Sequence, residues 1–146
     1  MTNLMKHGNP HKNYMRGWTM PNWCQNEVRV IGNAEKVKEF MDFVKSDEQD
    51  FDFEKIIPLP NGEWDREWCI EKWDTKWNAC RVVKDFDPQY EDQVEYTFDT
   101  AWSPPEGIFK KLKEKFVSNE KDSGLYISWF YREDDNEFSG YLQNEV

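Results

Sequence analysis

The residues of this chain best suited to chemistry are three cysteines, two histidines, a large set of acids and eight tryptophans. Their spacing decides what they could do. His7 and His11 stand i, i+4, but Cys24, Cys69 and Cys80 lie far from them and show no C-x-x-C spacing. A zinc site would need tertiary convergence. Buried free thiols are therefore the expectation, with no metal and no cofactor. A Cys–His pair would have to draw its base from the N-terminal arm, a poor way to hold geometry. There is no G-x-S-x-G, no Walker loop and no G-x-G-x-x-G. Paired carboxylates are plentiful, but in so acidic a chain their adjacency carries almost no information. A tryptophan-lined pair of acids would suit sugar hydrolysis only if something fixed the carboxylate separation. No catalytic residue is assigned, and a non-enzymatic protein is expected.

The tryptophans are the most distinctive feature. Trp64, Trp68, Trp73, Trp77 and Trp102 are too many for chance surface placement. One reading makes the 51–79 segment a lid whose indoles cover a sheet edge or a helix end. The other leaves some of them exposed as binding anchors beside acids such as Asp50, Asp52, Asp74 and Asp99, the anchor-and-charged-rim arrangement of a protein interface. Asp47, Glu48, Asp50, Asp52 and Glu54 crowd around Phe51 and Phe53. The candidate partner-binding set is Asp47, Glu48, Asp50, Asp52, Trp64, Trp68, Trp73, Asp74, Trp77 and Trp102.

Charge narrows the partner. The chain of 146 residues carries a net −10. Residues 1–21 hold Lys6, Lys12 and Arg16 and no acid, so +3 falls there and the rest carries −13. A body that acidic repels phosphates and favours basic partners. No apolar run reaches the ~20 residues that span a bilayer. The odd cysteine count and the lack of a signal-peptide core near Met1 point to a reducing cytoplasm.

Period and turn chemistry then supply the elements. Residues 23–31 alternate as a strand, with Val28 and Val30 on one face and Glu27, Arg29 and Ile31 on the other. Asn33 can cap a helix over about 34–46 bearing the stripe Val37, Phe40, Met41 and Val44. Ile57-Pro58-Leu59-Pro60 is a connector, and 63–79 begins with a short helix. Residues 80–86 and 93–99 pair as a hairpin, with Val94, Tyr96 and Phe98 pointing one way. Ser103 and Glu106 read as a capping box opening a helix at about 104–117, with Pro104 and Pro105 in its first turn and Ile108, Phe109, Leu112 and Phe116 as its apolar stripe. Leu125, Ile127, Trp129 and Tyr131 line one face of a further strand, and 137–143 returns as the last. The order predicts an α+β fold, a ferredoxin-like βαββαβ sandwich with an extra C-terminal strand and a Trp-rich insert after the first helix. Residues 1–19 are expected as a basic N-terminal arm and 20–146 as a single domain.

Four strings, taken in order, resemble one family. They are Met20-Pro21-Asn22-Trp23-Cys24-Gln25-Asn26, Ile57-Pro58-Leu59-Pro60, Trp73-Asp74-Thr75-Lys76-Trp77-Asn78-Ala79 and Thr100-Ala101-Trp102-Ser103-Pro104-Pro105. They are similar to the YubB-like family of small ferredoxin-like proteins of bacteriophages and conjugative plasmids, over about residues 20–142. That family usually has Gly where this chain has Asp74, and it lacks the first nineteen residues. The resemblance implies a fold and a mobile-element origin, and it carries over no reaction and no catalytic residue.

The expected function is therefore a phage or mobile-element accessory protein that binds a host protein with a basic surface, inhibiting a host defence nuclease in the manner of an anti-CRISPR. Clustered acids would occupy a groove built for phosphates. One alternative is a small-ligand module for a nucleotide or sugar, with the Trp-rich insert as lid. Another is an RNA-binding or oligomeric structural protein. Tyr126, Phe130 and Tyr141 fall on the sheet face opposite the helices, where ferredoxin-like sheets stack bases. Glu27, Glu95 and Asp99 share that face, so direct nucleic-acid binding is not expected. A homo-oligomer would form through the terminal hairpin edge or the arm.

Overall fold

The computed structural model describes residues 22–117, 124–135 and 137–142. The basic arm, both histidines and most of the polar break after the last helix lie outside the described residues. Among the described residues five strands and four helices follow in the order β1 (Trp23–Ile31), α1 (Ala34–Val44), α2 (Phe53–Ile56), a 3-10 turn (Pro60–Gly62), α3 (Arg66–Trp73), β2 (Cys80–Asp85), β3 (Gln93–Ala101), α4 (Glu106–Phe116), β4 (Tyr126–Glu133) and β5 (Phe138–Tyr141). The sheet runs β2-β3-β1-β4-β5 with every neighbour antiparallel. That is the ferredoxin-like plan with one strand added beyond β4.

Parity along β1 sets the layers. Cys24, Asn26, Val28 and Val30 are buried, and the residues between them are exposed. Val28 faces Tyr96 on β3 and Trp129 on β4, so the same parity fixes which side chains of those strands meet the helices. α1 contributes Val37, Phe40 and Val44, and α4 contributes Ile108, Phe109, Leu112 and Phe116. Asn33 caps α1 by accepting from the amides of Glu35 (2.8 Å) and Lys36 (3.4 Å).

The insert belongs to this core. Phe51, from the acidic segment, packs its ring against Phe40, Phe53, Tyr96, Phe98 and Trp129, at centroid separations of 4.8–6.4 Å. Phe53, Ile56, Leu59, Cys69 and Trp73 join the same cluster. Burying one such ring is worth about 1.5–3 kcal/mol, so the segment is pinned from inside although its surface is acidic.

One expected element boundary is corrected. α4 starts at Glu106, with Pro104 and Pro105 ahead of it, and it has no side-chain cap. The capping box does not form because the Ser103 hydroxyl donates to the carbonyl of Asp74 at 2.6 Å instead.

Candidate functional site

Two of the strings that stood out in the sequence meet at one corner. Residues 74–79 leave α3, and residues 100–103 leave β3. Thr75, buried, donates its hydroxyl to Ala101 O at 2.9 Å, and Ser103 closes the crossing on Asp74 O. Thr100 donates to Ser103 O at 2.7 Å and accepts from the side-chain amide of Asn26 at 3.0 Å. Asn26 in turn accepts from the Trp129 indole at 3.0 Å. The corner is thus tied by fully buried polar groups to β1 and β4, where an unmade hydrogen bond is costly.

The backbone at this corner is bent into unusual shapes. Asp74 (φ 66), Arg81 (φ 53) and Trp102 (φ 72) all occupy the left-handed region that residues with a Cβ avoid. Asp74 ends α3 there, the place where glycine is the common choice. Trp102 is held by its own amide, which donates to Asn22 O at 2.9 Å.

The side chains form a cationic, aromatic surface. The Lys76 ammonium lies 4.5 Å from the Trp77 ring centroid and 5.9 Å from that of Trp102. The Trp64 indole donates to Lys76 O at 2.8 Å. Trp23 packs on Trp77 at 6.3 Å, and the Arg81 guanidinium sits 4.7 Å above Trp23 while pairing with Asp99. Partial burial, and then the charge of Arg66, holds the Lys76 ammonium below its ordinary pKa.

The candidate residues divide. Trp102 is 46% exposed, while Trp64 and Trp68 are half-buried. Trp73 and Trp77 are buried, which removes them as anchors for a partner: the Trp73 indole donates to Ile57 O at 3.0 Å and its ring meets Phe53 and Trp68. Asp52 is also buried. It caps α2 by accepting from the Glu54 amide, and it accepts from Asn78 Nδ2 at 2.9 Å, so it too leaves the proposed surface. Asp47, Glu48, Asp50 and Asp74 remain exposed. The charged groups over the rings at this corner are Lys76, over Trp77 and Trp102, and Arg81, over Trp23. The acidic loop is nevertheless joined to the corner. Gln49 donates to Phe51 O and Ala79 O, and Phe53 N donates to Asn78 Oδ1, next in sequence to Lys76-Trp77.

Asn26, Thr75 and Thr100 were missed as members of this corner. The parity of β1 could have found Asn26, since it shares the phase of Cys24 and Val28. The parity of β3 likewise marks Thr100, in phase with Val94, Tyr96 and Phe98, whereas Thr75, outside any strand, carried no such signal.

On the open face Tyr126 and Tyr141 are exposed, and the Phe130 ring packs against Tyr141 at 5.2 Å, tilted by 58°. Arg29 there is engaged by Glu95 at 2.8 Å. A hollow of about 330 Å³ lies between Arg29, Asp85, Tyr90 and Glu95, and one of about 210 Å³ lies between α1 and β2; no residue of the insert lines either. The three cysteines are buried and free, and burial pushes the Cys24 and Cys69 thiols up to about 11 and Cys80 up to about 12. Among the described residues no group of His, Cys, Asp and Glu is placed to hold a metal ion, and no helix is long and apolar enough to cross a membrane.

Residues 63–143 match the model of a family described as a ferredoxin-like domain in Api92-like protein. No curated protein and no solved structure matches the chain.

Proposed function

The chain belongs to that Api92-like ferredoxin-like family, and from this premise we propose that it is a non-enzymatic accessory protein of a phage or related mobile element that captures a host protein. The observation that carries the reading is Trp102: a large indole 46% exposed on a backbone held in a left-handed turn by Asn22 and Thr100–Ser103. A fixed, exposed indole costs little ordering entropy when a partner closes over it, which is what a binding anchor requires. The Asp47, Glu48 and Asp50 loop, linked to the same corner through Gln49 and Ala79, supplies the negative rim. The complementary patch on the partner has basic groups over that loop and a pocket for the indole. A groove that normally holds nucleic-acid phosphates has this character, so inhibition of a host defence nuclease is the effect we assign.

The test is affinity capture from host lysate with identification of the retained protein. Trp102→Ala should abolish retention by removing the anchor. The triple change Asp47→Lys, Glu48→Lys, Asp50→Lys should weaken it and remove its salt dependence. A partner retained equally by both variants and insensitive to salt would rule out this surface.

A further inference from the structure

The two edges of the sheet are guarded unequally. At β2 the register slips between Cys80 and Val83, Arg81 takes a positive φ, and Arg81, Lys84 and Asp85 place charge along the strand. Bulges and charges of this kind block edge-to-edge pairing. β5 is the other outermost strand, and its sequence, Phe-Ser-Gly-Tyr, contains neither charge nor proline. Leu142 donates its amide to Trp129 O at 2.9 Å. In an antiparallel ladder, main-chain groups alternate between the two sides of a strand. Gly140 and Phe138 therefore turn theirs toward β4, and Ser139 turns its N–H and C=O outward.

We propose that β5 pairs antiparallel with β5 of a second copy about a two-fold axis at Ser139, so that the two sheets become one. The side chains select this register. On the helix side of the strand, Phe138 is 38% exposed and Gly140 has no side chain. Pairing about Ser139 sets Phe138 of each copy opposite Gly140 of the other. Gly140 is already roofed by its own Tyr131, whose hydroxyl lies 2.9 Å from where a Cβ would stand, and Tyr131 meets Phe138 at 6.1 Å within one copy. The dimer therefore extends an existing aromatic row across the axis, with rings over the edge glycines. A foreign strand would match this pattern only by coincidence, whereas a second copy matches it by symmetry. The pairing does not depend on the function proposed above.

Sedimentation of the full chain over a concentration series tests it. The wild type should pass from monomer to dimer. Ser139→Pro removes the outward donor without touching a bond to β4 and should stay monomeric, with an unchanged circular dichroism spectrum. Hydrogen exchange on the wild type gives a second readout that needs no variant: the Ser139 amide should lose protection on dilution while that of Gly140 keeps it. A monomer throughout, a dimer that survives Ser139→Pro, or Ser139 exchange indifferent to concentration would each overturn the proposal.

Discussion

The carbonyl oxygen of Lys72 lies 1.9 Å from where a Cβ on Gly107 would stand, so the end of α3 rests directly on the first turn of α4. The Lys72 carbonyl carbon is 2.8 Å from the same point, and backbone cannot rotate aside as a side chain can. Helix propensity alone would favour Gly107→Ala by ~1 kcal/mol. The overlap opposes this, and overpacking of a tight contact costs about 1–3 kcal/mol or more. We expect the overlap to win, with a net loss of about 2 kcal/mol and a fall in Tm of roughly 6 °C by thermal denaturation.

Asp74 sits between two opposing effects. Its φ of 66 favours glycine, while its carboxylate lies beside Gly107 at the uncapped start of α4, where negative charge is favourable. Asp74→Gly relieves the first and loses the second, so it should stay within about 0.5 kcal/mol of wild type. Asp74→Ala keeps the strain and loses the charge, and should cost about 1 kcal/mol in a denaturant titration. Equal stability of the two variants would refute the backbone argument.

The Tyr96 ring packs against Phe40 and Phe51, and its buried hydroxyl has no hydrogen-bond partner among the described residues. Burial, and then the charges of Asp50 and Asp42, push its pKa up. Removing an unsatisfied buried hydroxyl is nearly neutral or favourable. Tyr96→Phe should raise stability by up to about 1 kcal/mol, measured by chemical denaturation.

Alkaline pH should destabilise the fold. Burial raises the thiols of Cys24 and Cys69 to about 11 and Cys80 to about 12, against an ordinary value of 9.0. Above 9.0 the unfolded chain has released thiol protons that the folded chain still holds, so stability falls as pH rises. The contribution is complete below pH 9.0 and declines through about 11 for Cys24 and Cys69, and through about 12 for Cys80. Cys80→Ala should flatten the upper part of that decline in melts run across pH, and thiol reagents should react with the wild type only as it unfolds.

Much of the fold was legible because it rests on local pattern. The alternation of β1 and the stripes Val37–Phe40–Val44 and Ile108–Leu112–Phe116 each declare a buried face within a few residues. The site was less legible because its bonds span long separations. Trp73 is enclosed against Phe53, twenty residues back, and Ile57 O, sixteen residues back, takes its indole N–H. Ser103 has every local mark of a helix cap, yet Asp74 O, twenty-nine residues away, takes its hydroxyl. Asp52 reads as one more surface acid until Asn78 arrives beside it from across the insert. In each case a tertiary acceptor or donor outcompeted the local one.

Asn26 shows what such a distant bond does for assembly. Its amide donates to Thr100 on β3 and accepts from Trp129 on β4. Sliding the middle strand by two residues would keep every apolar group inward, and greasy packing alone would tolerate the error. The same slip would strand one carboxamide and one indole in a dry interior, with nothing to answer either. A single neutral residue thus acts as an alignment pin for three strands, and misthreaded sheets are rejected by their thirst rather than by their shape.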